Sequence, residues 1–123
     1  MTKRFKRVDR LSKFDRDIKK LRKRYRTIDD DLGMLIDTLL FAYHKITTKV
    51  DGVRRIDDLG DTRLPVYKVK KFACRSLKGK GVRTGLRLIY AFDADRDCIE
   101  LIEIYIKADK ETEDRKRIKE NYV

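Results

Sequence analysis

The chain has 123 residues, which fit one hydrophobic core, so a single domain spanning 1–123 is expected. Hydrophobic residues, 41% of the total, can fill that core, and charged residues, 44%, dictate a strongly ionic surface; 33 Lys and Arg against 21 Asp and Glu give a net charge of +12, which attracts polyanions. No apolar run is long enough to span a membrane and no apolar stretch follows the N-terminal charges of MTKRFKRVDR, which argues against a membrane partner and for a cytoplasmic location.

The first expected element is a helix opening at Ser12, where Ser12 and Asp15 have the spacing of an N-terminal cap. Phe14, Ile18, Leu21 and Tyr25 then recur as one apolar stripe on an otherwise charged cylinder. Thr27 and Asp30 repeat the capping pattern, and Asp29 and Asp31 add negative charge where the helix dipole favours it. The second helix carries Leu32, Leu35, Ile36, Leu39, Leu40, Tyr43 and Ile46. So short a link predicts an antiparallel helix hairpin.

Residues 47–64 read as a loop with a short strand near Val53–Ile56, and Pro65 suits a strand start. The period then changes from 3.6 to 2. Tyr67 and Val69 alternate with Lys68 and Lys70, which puts both lysines on one face of a strand. Ser76–Thr84 is a basic loop, Gly85–Phe92 a second strand and Cys98–Lys107 a third, joined by the Asp93–Asp97 turn. The polar C-terminus reads as a short helix or a tail. The expected class is α+β: an N-terminal antiparallel helix hairpin packed on a small antiparallel sheet, with a short C-terminal helix.

Charge is unevenly distributed. Residues 63–92 hold nine basic side chains and no acidic one, and an unmixed block of this kind marks a binding surface. There is no phosphate-cradling Walker loop, no HExxH and no nucleophile elbow. Cys74 and Cys98 form no CxxC pair, and Asp93, Asp95 and Asp97 lack the Gly and Glu of a calcium loop, so no metal and no cofactor are expected. His44, the single histidine, reads as a surface or partly packed residue rather than as a base. Lysines and arginines remain: Lys68, Lys70, Lys71, Arg75, Lys78, Lys80, Arg83 and Arg87. Such groups hold phosphates and stabilise the charge that develops when a phosphodiester is cleaved. RNA supplies its own nucleophile in the 2′-hydroxyl, and a lysine crowded by cations titrates low enough for acid–base work.

Val66–Lys70 (VYKVK), the loop SLKGKGVRTG and Gly85–Tyr90 (GLRLIY) resemble the core signature of RelE-type toxins of the RelE/ParE superfamily, in the branch with a GK-rich loop. FDRDIKKLRKRY upstream and IEIYIKADKETEDRKRI downstream resemble that branch's helix and tail. The resemblance implies the toxin of a type II toxin–antitoxin system: a metal-independent endoribonuclease that cleaves mRNA, on the ribosome or free, and halts translation. It implies a neutralising antitoxin as partner. By position it assigns Lys68 and Lys70 as acid–base or charge-stabilising lysines and Arg87 as the phosphate-binding arginine. Lys71, Arg75, Lys78, Lys80, Arg83, Lys107 and Lys110 are the expected additional RNA contacts. The chain departs from the pattern after the last strand, where Lys107 or Lys110 replaces an arginine and Arg115 stands where a tyrosine is usual; Tyr122 lies late in the tail. Two rivals remain: a sister toxin that inhibits DNA gyrase, and a non-catalytic RNA-binding module. The nuclease reading requires residues 68, 70 and 87 to converge on one cationic hollow without being neutralised by carboxylates.

Overall fold

A computed structural model describes residues 4–77, 79–81 and 83–123. The chain starts with a strand, β1 (Arg7–Arg10), before the helices α1 (Ser12–Arg24) and α2 (Ile28–Leu35). A π-helical turn (Ile36–Leu40) runs on from α2 into α3 (Phe41–Lys45). Strands β2 (Val53–Arg55), β3 (Val66–Val69), β4 (Leu86–Asp93) and β5 (Cys98–Ile106) follow, and α4 (Arg115–Tyr122) ends the fold. The α+β class agrees with the sequence reading. The N-terminal position of the helices does not, nor does the purely antiparallel sheet.

The sheet is five-stranded in the order β1-β5-β4-β3-β2. β2, β3, β4 and β5 are antiparallel neighbours, whereas β1 lies parallel to β5 with Arg7 opposite Cys98 and Arg10 opposite Leu101. β1 is silent in the sequence because its four residues, RVDR, include one apolar side chain, and that one is largely exposed. Its order comes from the backbone ladder with β5. A charged edge strand of this kind also discourages pairing with other chains.

Alternation along β4 and β5 gives the sheet two apolar faces. Leu86, Leu88 and Tyr90 of β4, with Ile99, Leu101, Ile104 and Ile106 of β5, pack against Phe14, Ile18 and Leu21 of α1 and Ile28, Leu32 and Leu35 of α2. The opposite face packs Val66, Ile89, Ala91 and Ile102 against Leu59 and against Ile118 and Tyr122 of α4. A bulge at Ile89/Tyr90 re-registers β4 on β5. The α4 helix covers part of this second face. The remainder carries the cations discussed below.

Local signals were partly misread. Leu11, in extended backbone, precedes the first turn of α1, and no side chain caps it; Ser12 lies inside the helix. Thr27 does precede α2, but its hydroxyl donates to Asp31 at 2.6 Å rather than capping an amide. Ile46, expected on the apolar stripe, follows α3 and is exposed. The C-terminus is a helix with a genuine cap, the Asp114 carboxylate accepting from the Arg117 amide at 3.1 Å. Cys74 and Cys98 are buried and unpaired.

Tyr122 is 1% exposed, and its hydroxyl donates to Glu100 at 2.7 Å. The residue therefore anchors α4 to β5. Tyr122→Phe is expected to cost about 1 kcal/mol in denaturant unfolding, the worth of one hydrogen bond. A folded variant as stable as the wild type would contradict that anchoring role.

Candidate nucleic-acid interface

The register brings the expected residues together. Arg54 of β2 lies opposite Lys68 of β3, Lys68 opposite Ile89, and Arg87, two residues before Ile89, opposite Tyr105 of β5. Lys70 follows β3 by one residue, and its amide donates to Gly52 at 2.8 Å. Since side chains alternate across a sheet, Arg54, Lys68, Lys70, Arg87 and Tyr105 share one face, the one that α4 leaves partly open.

Their environments differ sharply. Lys68 is 9% exposed and its ammonium donates to Glu113 at 2.8 Å. Glu113 also meets Arg115 at 3.2 Å and the Thr112 hydroxyl at 3.1 Å. Burial alone would raise the Glu113 carboxyl, but the Lys68 ammonium, its own backbone amide and Thr112 outweigh it and hold the group down at about 2. Lys68 is thus neutralised by a carboxylate, contrary to the expectation of a free cation. Tyr105, 6% exposed, lies beside this pair, and its hydroxyl has no hydrogen-bond partner among the described residues. Burial pushes the phenol up, with Lys68 pulling the other way.

Lys70 and Arg87 form no ion pair among the described residues. The Arg87 guanidinium donates to the carbonyls of Lys70 and Leu86, both at 3.1 Å, which fixes its plane beside Lys70. Lys70 is exposed and its pKa is lowered, first by the charge of Arg54, then by burial and by Lys68, Arg87 and Lys107. Lys70, Lys71, Arg83, Gly85 and Arg87 line a hollow of about 380 Å³. A second hollow of about 200 Å³, lined by Asp51, Gly52, Val53, Arg54, Lys70 and Lys71, adjoins it through the two shared lysines.

The other expected contacts separate into groups. Lys107 is exposed and close enough to Lys70 to depress it, and Arg83 lines the larger hollow. Lys80 is exposed in the basic loop. Lys71 is paired with Asp51, and Lys110 with the buried Glu103. Arg75 is turned away from the hollow: its Nε donates to Asp31 at 3.0 Å, pinning the start of the basic loop to α2. Lys78 lies outside the described residues. His44 belongs to the helix-covered face, with Nε2 2.7 Å from the Tyr90 hydroxyl and its ring 4.3 Å from Phe92; burial holds it down at about 4.

Arg54, Tyr105 and Glu113 were missed from the sequence. The alternation of CIELIEIYIK contains the signal for Tyr105, since it places that residue in phase with Glu103 and Lys107. No family model matches the chain, and no curated protein matches it. One solved structure is similar. It is the archaeal RelE–RelB complex from Pyrococcus horikoshii OT3, 15% identical, with 82% of this chain and 93% of that chain covered and a TM-score of 0.48. At that identity no residue role transfers, so the functional reading rests on the side chains of this chain.

Proposed function

We propose that this protein is a RelE-like toxin that grips mRNA on the cationic face and cleaves it without a metal ion. The observation that carries the reading is the facing pair Lys70 and Arg87, free of carboxylate partners among the described residues and set at one hollow with Arg83. In the proposed step the 2′-hydroxyl gives up its proton and attacks the adjacent phosphorus. The bond from phosphorus to the 5′-oxygen breaks, and that oxygen takes a proton, leaving a 2′,3′-cyclic phosphate and a 5′-hydroxyl. Arg87 and Arg83 stabilise the charge on the phosphate oxygens. Lys70, its pKa lowered by the surrounding cations, moves the proton. Lys68, carried by the resemblance as catalytic, is assigned instead to holding the site's floor through Glu113. The same reading makes an antitoxin the neutralising partner and the ribosome a platform for cleavage.

The Lys68–Glu113 pair also favours a second reading, an RNA-binding module that holds phosphates and cuts nothing. Incubating purified protein with a defined mRNA, with and without ribosomes and in the presence of a chelator, separates the two. Cleavage predicts discrete breaks ending in cyclic phosphate. Retarded but intact RNA, with steep salt dependence, would establish the binding module and remove the nuclease. Relaxed plasmid from a gyrase assay with no effect on RNA would remove both.

A further inference from the structure

The two adjoining hollows divide the cationic face into two anion positions. The larger is bounded by Lys70, Arg83 and Arg87 at the β3–β4 end, the smaller by Arg54 of β2 and by Asp51 and Gly52 just before that strand, with Lys70 and Lys71 as their common wall. Arg54 and Arg87 lie on strands either side of β3 and two residues apart along it, so their Cα positions are separated by about 12 Å. Two long side chains leaning inward from that separation address two neighbouring anions, whereas a single phosphate in the larger hollow leaves Arg54 without one. Arg54 has no carboxylate partner among the described residues, although Asp51 stands near and takes Lys71. The backbone supports the division. Gly52 has a φ of +96°, and a Cβ there would stand 2.8 Å from Lys71 Cβ, so glycine keeps the wall between the hollows in place.

We infer that the site reads two successive phosphates of one RNA strand, the reacting phosphate between Lys70, Arg83 and Arg87 and its neighbour at Gly52 and Arg54. This rests on the reading of the face as an RNA site and adds a minimum substrate to it. A dinucleotide with one phosphate fills half of the site; a terminal phosphate on one side fills the other half. Contacts of this charge-assisted kind raise affinity about tenfold or more, and each phosphate engaged on a single strand adds about −0.7 to the slope of log affinity against log salt.

The test uses the full chain and three probes that cannot react, because the 2′-oxygen is methylated: a dinucleoside monophosphate, its 5′-phosphorylated form and its 3′-phosphorylated form. One of the two phosphorylated probes is expected to bind about tenfold tighter than the parent, with a salt slope steeper by about 0.7. Arg54→Ala should remove that gain, so that the parent and phosphorylated probes bind the variant alike. Equal binding of all three probes by the wild type, or a gain that survives Arg54→Ala, would overturn the two-phosphate site. If a long RNA is still bound and cut, the nuclease reading survives that result. A wild-type chain that neither binds nor cuts the long RNA fails the underlying reading instead.

Discussion

Arg87→Ala is expected to reduce RNA cleavage by about 10²–10³-fold while leaving the protein folded, the usual loss when one preorganised donor to a developing oxyanion is removed. The Arg87 side chain donates only to the carbonyls of Lys70, which is exposed, and Leu86, which is buried, so its truncation should cost about 1 kcal/mol. Lys70→Arg separates charge from proton transfer. It keeps the positive charge but places a group that does not titrate in the working range where Lys70 stands. Binding should persist and cleavage should fall by at least 10²-fold. With the wild type, the limb of the pH–rate profile that Lys70 governs should lie below the ordinary lysine range, because neighbouring cations depress it. Full cleavage by Lys70→Arg would show that the lysine supplies charge alone. Full growth arrest from both variants in cells would remove the catalytic assignment.

The second large effect concerns stability. Glu113→Gln should destabilise the fold by about 3 kcal/mol, because it strands the Lys68 ammonium in a site where that residue is 9% exposed. The same pair predicts a pH dependence. The folded Glu113 carboxyl titrates at about 2, below its ordinary value, so its contribution is complete above about pH 4.5. That contribution is lost as pH falls from there toward 2, and the wild type should lose stability in this window more steeply than Glu113→Gln. The double variant Lys68→Met/Glu113→Leu removes both charges and should lie within about 1.5 kcal/mol of the wild type in denaturant unfolding. Its cleavage should fall by less than tenfold. A loss as large as that of Arg87→Ala, in a double variant that folds, would restore Lys68 to the catalytic group.

The legible part of the site was the part governed by local geometry. Strand alternation alone places Lys68 and Lys70 in phase, and two strands of period 2 brought against each other carry Arg87 to the same face. The block without acidic residues, expected to mark a binding surface, supplies the Lys70, Lys71, Arg83 and Arg87 that line the larger hollow. What alternation cannot reveal is a counter-charge supplied from elsewhere in the chain. Glu113 reaches Lys68 across 45 residues, and Asp31 reaches Arg75 across 44, so two of the expected phosphate ligands are spoken for by distant carboxylates. Fold errors have the same origin. β1 has no apolar period of its own and becomes a strand only because β5 offers an unpaired edge. The capping motifs at Ser12 and Thr27 had the right residues, but Leu11 takes the boundary of α1 and the Thr27 hydroxyl is drawn to Asp31 and Ser76.

The parallel pairing of β1 with β5 has a consequence for synthesis. β1 leaves the ribosome long before its partner β5: the Lys6 amide is held by Asp97 across 91 residues, and Asp17 is held by Arg117 across 100. Helices can form as they emerge, since their hydrogen bonds are local, but the sheet closes only when β5 has arrived. The cationic face is assembled in the same late step, as its floor needs Glu113. A nascent chain therefore exposes its basic segments before it possesses an organised site, and shortened products that stop before β5 are expected to be inert.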